Sequence, residues 1–134
     1  MIDYVDTAGS ITPGQLTGFF QGWPRHPGAD RHLEILKASY RVWLAMDGER
    51  CVGFINAISD GFLSAFIPLL EVLPAYQHQG IGSELVRRMV ASLEHMYSID
   101  VVCDDEVAGF YGSRGFSRLV AMAKRNYDRQ NGTS

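Results

Sequence analysis

Between Phe62 and Tyr97 the apolar residues change their period once, and that change restricts the available folds more than any other feature of the chain. Phe62 to Leu73 is a mostly apolar run of strand character. Ile81, Leu85, Met89, Leu93 and Met96 then recur at helical spacing, with Val86 and Val90 widening the stripe. A strand ending near Leu73 and a helix from Gly82 to about Tyr97 are joined by Gln77-His78-Gln79-Gly80-Ile81-Gly82. The helix needs a sheet under its apolar face, which commits the chain to an α/β architecture. The same turn sets the unpaired N–H groups of a helix N-terminus beside a glycine-lined approach, an arrangement that suits phosphate or pyrophosphate. A side chain at Gly80 or Gly82 would obstruct the approach of backbone to ligand. A ligand-free strand-to-helix connection would use the same residues, so the turn alone leaves both readings open.

Two common nucleotide motifs fail on these residues. A dinucleotide fingerprint needs a third glycine where Leu85 stands, and a Walker A loop needs Gly-Lys-Ser/Thr where the chain has Gly82-Ser83-Glu84.

The rest of the chain supplies the sheet. Tyr40–Met46 and Cys51–Ile58 are rich in β-branched and aromatic residues and flank Asp47-Gly48, a strong hairpin signal. A second Asp-Gly at 60–61 returns the chain into Phe62–Leu73, giving a three-stranded meander, and Pro68 predicts a bulge or an unpaired edge there. Ile2–Val5 reads as a short first strand. Ser10-Ile11-Thr12-Pro13 starts a helix near 13–20 that Gly14 and Gly18 weaken, residues 21–30 read as a loop, and Asp30–Ser39 as a second helix. Ile99–Cys103 reads as a short buried strand. Asp104-Asp105-Glu106 opens a helix ending before Gly115, Phe116–Tyr127 forms a last strand, and 128–134 is a polar, frayed tail. The expectation is one domain over residues 1–134, α/β (α+β), with a mixed, mostly antiparallel sheet of six or seven strands and about four helices.

Composition narrows the function classes. The chain is 46% hydrophobic and 20% charged with a net charge of −3, and its longest basic run is Lys124-Arg125, so no electrostatic footprint for nucleic acid is expected. No apolar stretch approaches the roughly 20 residues of a bilayer span, and Asp3 and Asp6 stand where a signal peptide would be basic. These features predict a cytoplasmic protein with no membrane partner. Cys51 and Cys103 lie far apart in apolar runs and read as buried free thiols, with neither a disulfide framework nor a metal site.

The segment Val72-Leu73-Pro74-Ala75-Tyr76-Gln77-His78-Gln79-Gly80-Ile81-Gly82-Ser83-Glu84-Leu85 resembles, in full context, the Q/R-x-x-G-x-G/A signature of the GNAT N-acetyltransferase superfamily. The resemblance extends to the preceding meander and to Phe110-Tyr111…Gly115-Phe116. It implies acetyl-coenzyme A as cosubstrate, with no metal. It implies a pantetheine arm that hydrogen-bonds like an added strand to the backbone of Glu71, Val72 and Leu73. The amides of His78, Gln79, Gly80, Ile81, Gly82 and Ser83 would hold the pyrophosphate, with Gln77 at the first motif position. Tyr111 occupies the place of the tyrosine that bonds the coenzyme sulfur. A phenol with a reference pKa near 10 can give a thiolate its proton, so Tyr111 is the expected general acid, the alternative being an aromatic residue that only packs.

The base is less defined. Where some members of the superfamily carry Glu or His, this chain has the apolar stretch Ala65-Phe66-Ile67-Pro68, which leaves Glu71 as the one ionisable side chain on the strand. It is either the base, directly or through water, or a structural residue. Asp104 stands where the family often has an asparagine that contacts the coenzyme. The acceptor, a small-molecule or peptide amine, would meet the first two helices and their loop, with Phe19, Phe20, Trp23, Arg25, His26 and His32. A chain one strand short would leave an open edge, and a homodimer through the C-terminal region is expected. The rival functions are a coenzyme-A thioester sensor without turnover and a nucleotide-binding protein using the same turn.

Overall fold

The structure, a computed structural model, describes residues 1–133. Five strands form one sheet in the order β1 (Asp3–Val5), β2 (Arg41–Asp47), β3 (Arg50–Ser59), β4 (Ser64–Val72), β5 (Ser98–Val101). The first four are antiparallel to their neighbours, and β5 lies parallel to β4. That parallel step needs a crossover, and the helix α2 (Ile81–Ser92) supplies it. The meander is as the two Asp-Gly turns predict, and β3 is its central, most buried strand.

The two faces are filled by different elements. Leu85 and Met89 of α2, with Leu93 just beyond it, all 0% exposed, bring the predicted stripe onto one face, although the helix ends at Ser92 rather than near Tyr97. A Cβ at Gly53 would stand 3.2 Å from Leu85 Cδ1 and 3.3 Å from Ile81 Cγ2, so glycine there permits the helix to sit close on β3. On the other face Phe54 packs edge-on to Phe19 and His32, the latter from α1 (Ala29–Ala38).

Several elements differ from expectation. The helix near 13–20 is a single 3-10 turn, Pro13–Leu16, because Gly14 and Gly18 oppose propagation and Gly18 takes a φ of 99°. The helix after Asp104 begins as a 3-10 turn, Asp105–Val107, and continues as the short α3 (Ala108–Gly112). Among the described residues the sheet has five strands rather than six or seven, since none of them lies beside Phe116–Tyr127 to pair with it. Cys51 is buried as expected, but Cys103 is exposed because β5 ends at Val101. Among the described residues, no helix is long and apolar enough to cross a membrane.

Candidate active site

A cleft opens where β4 and β5 part. Their pairing ends at Ile67↔Val101. From Asn56↔Leu69 to Ile58↔Phe66 the chain advances three residues on β4 against two on β3, so β4 bulges at Ile67–Pro68, as the proline predicts. Past the bulge β4 runs on to Val72 while the other strand gives way to Val102, Cys103 and Asp104. The wedge between them encloses about 370 Å³, with Glu71, Trp23, Phe54 and Tyr111 among its walls.

The edge of β4 facing this wedge has free backbone groups. Leu73 N–H donates to Val52 O (2.8 Å), so strand alternation turns the backbone of Leu70 and Val72 the opposite way. Gln77 Nε2 donates to Val72 O (3.0 Å), tying the turn to that edge. Of the three residues expected to meet a pantetheine through their backbone, Val72 offers its own there, whereas Glu71 and Leu73 turn theirs toward β3. Leu70 joins the set by parity, which the sequence reveals only once the register is known.

The turn itself is shaped by two left-handed residues, His78 (φ 63°) and Gly80 (φ 81°). Gly80 is the N-cap of α2, and its carbonyl accepts the Glu84 N–H (3.1 Å). Among the described residues, none of the amides from His78 to Ser83 is bonded to a protein acceptor. A Cβ at Gly80 would meet nothing within 4 Å, and one at Gly82 would reach only Val72 Cγ2 at 3.8 Å and Phe110 Cζ at 3.9 Å. The cradle is open, electropositive and lined by backbone, so it fits a pyrophosphate.

Tyr111 and Glu71 stand at the same cleft. The Tyr111 ring is 6% exposed, edge-on to Phe110 and Phe116. Burial, helped by the neighbouring Cys103 and opposed by Arg114, pushes its phenol up to about 12. Glu71 accepts the N–H of Phe20 (2.8 Å) and of Gln21 (3.2 Å), one on each carboxylate oxygen. Phe20 holds a φ of 64°, unusual for an aromatic residue. Its buried ring and the bond its N–H donates to Glu71 together maintain that conformation.

The acetyltransferase (GNAT) domain family matches residues 38–118, more than half of the chain. The chain belongs to the GNAT acetyltransferase family. A candidate acetyltransferase from Deinococcus radiodurans R1 has a crystal structure similar to this one, with 42% identity, a TM-score of 0.96 and coverage of 99% of this chain and 94% of that chain. A histone acetyltransferase of Glycine max is 31% identical over 71% of this chain and 46% of its own length. A chloroplastic serotonin N-acetyltransferase of Oryza sativa is 31% identical over 72% of this chain and 50% of its own. The chain thus spans about half the length of these plant relatives.

In this GNAT domain one cation at the cradle was not singled out by sequence. Arg114 lies over the Phe110 ring (3.8 Å to the centroid), donates to Phe110 O (2.6 Å), and bonds Ser83 Oγ in the first turn of α2. Its four-residue spacing from Phe110 was the available signal, but its proximity to Ser83 comes only from the packing of α3 on α2.

The acceptor loop is divided by the fold. Trp23 lines the cleft. Phe19, Phe20 and His32 are buried behind it, where the two nitrogens of His32 have no partner among the described residues and burial lowers its pKa to about 4. Phe19, Phe20, His26 and His32 border a second hollow of about 180 Å³. Arg25 turns away and pairs with Asp128 (3.0 Å). Asp104 lies on the cleft wall. Among the described residues no cluster of His, Cys, Asp or Glu is arranged to hold a metal.

Proposed function

We propose that the chain is an N-acetyltransferase that transfers the acetyl group of acetyl-coenzyme A to a primary amine of a small molecule or peptide. The observation that carries this reading is the meeting of the β4 edge and Tyr111 at one cleft, with the unengaged amides of the turn following the end of that strand. Acetyl-coenzyme A supplies an activated acyl group whose C–S bond breaks as the C–N bond to the amine forms. Leu70 and Val72 hold the arm as an added strand would. The amides of His78–Ser83 fix the pyrophosphate, with Arg114 beside them. Tyr111 donates a hydrogen bond to the sulfur as it becomes a thiolate. Glu71 receives the amine's proton directly or through a water, using lone pairs that Phe20 and Gln21 leave free, since an ionised carboxylate offers about four acceptor sites.

Thiol release from acetyl-coenzyme A across a panel of amines tests this directly, and turnover above the amine-free rate is the expected result. Glu71→Gln keeps an acceptor oxygen for Phe20 and removes the base; a loss of about 10²-fold in kcat is expected if it takes the proton. Unchanged kcat would limit Glu71 to holding the 18–21 loop. A second reading is an acyl-coenzyme A sensor without turnover. It is favoured by the engagement of both Glu71 oxygens with backbone, and tight coenzyme binding without turnover on any amine would support it.

A further inference from the structure

Trp23, Glu71, Asp104, Tyr111 and Arg125 share the walls of the cleft. Acetyl transfer to a simple amine uses Glu71 and Tyr111 and leaves Asp104 and Arg125 without a task. Among the described residues neither of these two takes part in an ion pair. Arg125 is therefore a free cation beside the place where the acceptor must sit. A guanidinium keeps its charge at every physiological pH, and its planar fork of donors matches a carboxylate.

The position of Arg125 is set by its neighbours. Residues 117–125 form neither helix nor strand, so nothing within that stretch fixes the side chain. Immediately after it, Tyr127–Arg129 forms a 3-10 turn, and Arg25 clamps this turn from two residues beyond Trp23. Arg25 Nη1 donates to Asp128 Oδ1 (3.0 Å), and the Arg25 N–H donates to Gln130 Oε1 (3.3 Å). The chain just after Arg125 is thereby tied to the loop just after Trp23. Arg25, the cation that the sequence puts in the acceptor loop, is used up in this clamp. The clamp delivers Arg125 to the cleft in its stead.

We propose that Arg125 selects the acceptor by its carboxylate, and that the acceptor is an amino acid with an apolar side chain. The proposal rests on the acetyl-transfer reading and names the acceptor half of that reaction. Glu71 and Asp104 repel a carboxylate and attract an ammonium, so Arg125 is the one cation of the cleft that can admit the anionic end. The two signs orient the zwitterion, with its amine toward the acids and its carboxylate on the guanidinium. Trp23 and Val107, 36% and 38% exposed, offer apolar surface for the side chain, and Asp104 disfavours an acidic one. The ammonium loses one proton to Glu71, and the freed lone pair forms the C–N bond as the C–S bond breaks. The second amine proton ends on the thiolate, giving the N-acetyl amino acid and coenzyme A.

Phenylalanine, phenylalaninamide and 2-phenylethylamine share a ring and an amine and differ in the carboxylate. In thiol release from acetyl-coenzyme A, kcat/KM for phenylalanine is expected to exceed the other two by about tenfold. That is the low end for a hydrogen bond to a charged group, because Arg125 is exposed to water. The amine of the amide is the less basic and is more often neutral, which works against the expected order. Arg125→Gln should erase the preference, mainly through KM, and Arg125→Lys should restore part of it by returning the charge without the fork. Equal kcat/KM for the three amines, or a preference unchanged in Arg125→Gln, would overturn the proposal and leave acetyl transfer standing. So would turnover confined to amines without a carboxylate. A parallel loss of coenzyme A affinity in Arg125→Gln would also overturn it, by moving Arg125 to the donor side. Thiol release with no amine of any kind would overturn the acetyl-transfer reading and this proposal with it.

Discussion

Replacement of Tyr111 by Phe isolates one oxygen, because the ring that packs between Phe110 and Phe116 is retained. With a phenol at about 12 and a reference thiol near 8.5, outright proton transfer to a free thiolate is uphill by about 3.5 pH units, or about 5 kcal/mol. In the proposed mechanism Tyr111 would therefore act mainly as a hydrogen-bond donor to sulfur while negative charge gathers there. A hydrogen bond to a charged group contributes about 1.5–3 kcal/mol, so kcat should fall by roughly 10- to 150-fold. The bond strengthens as the C–S bond breaks, so the dissociation constant of coenzyme A should change little, by about twofold or less. Steady-state thiol release at saturating acetyl-coenzyme A, paired with calorimetric binding, measures both. The phenol keeps its proton well above neutral pH, so the wild-type profile should show no loss from Tyr111 up to about pH 10. Unchanged kcat in the Phe variant, or a matched tenfold loss of coenzyme affinity, would refute the role assigned to the hydroxyl.

Gly82→Ala should be accommodated, because its new Cβ meets only ordinary contacts with Val72 and Phe110; Gly82→Leu should fill the cradle, abolishing the coenzyme-induced rise in melting temperature while the free protein stays folded. Arg114→Ala should weaken coenzyme binding by about 5- to 30-fold, the loss of one charge-assisted contact, and make the affinity measurably less sensitive to salt; an unchanged constant would assign Arg114 to bracing α3 on α2 alone. His32 is held neutral, with its folded pKa at about 4 against about 6.5 unfolded. Between those values the unfolded chain binds the extra proton, so stability falls as pH drops from about 6.5 to about 4, by about 3 kcal/mol in all. Urea titrations across that range should show the slope, and a His32→Phe variant that keeps the full slope would exclude His32 as its source.

Local signals were legible wherever one physical cause dominated. The 3.6-residue stripe from Ile81 through Met89, the Asp47-Gly48 hairpin and the bulge at Pro68 each follow from side-chain period or backbone chemistry, and each is present in the fold, while the helix stops at Ser92, short of Met96. The helix expected near 13–20 shrank to one turn because Gly14 and Gly18 outweighed the capping signal at Thr12 and Pro13. Phe116–Tyr127 has strand character in its residues, but a strand exists only with a neighbour, and among the described residues none lies beside it. Cys103 looked buried because apolar flanks predict burial only within a continuing strand.

The turn Gln77–Gly82 at the start of a helix was readable from sequence alone, since the glycines and the helix start act through a short stretch of contiguous chain. Tertiary structure decided everything that depends on distant residues meeting. It turned the backbone of Leu70 and Val72, rather than that of Glu71 and Leu73, toward the cleft, through the register of β4 on β3. It set both oxygens of Glu71 on the amides of Phe20 and Gln21, some fifty residues away. It brought Arg114 to Ser83, and left Leu119, Val120 and Met122 in water. Period and backbone preference are local energies that a sequence displays; pairing, burial and charge contact are set by which surfaces the folded sheet brings together.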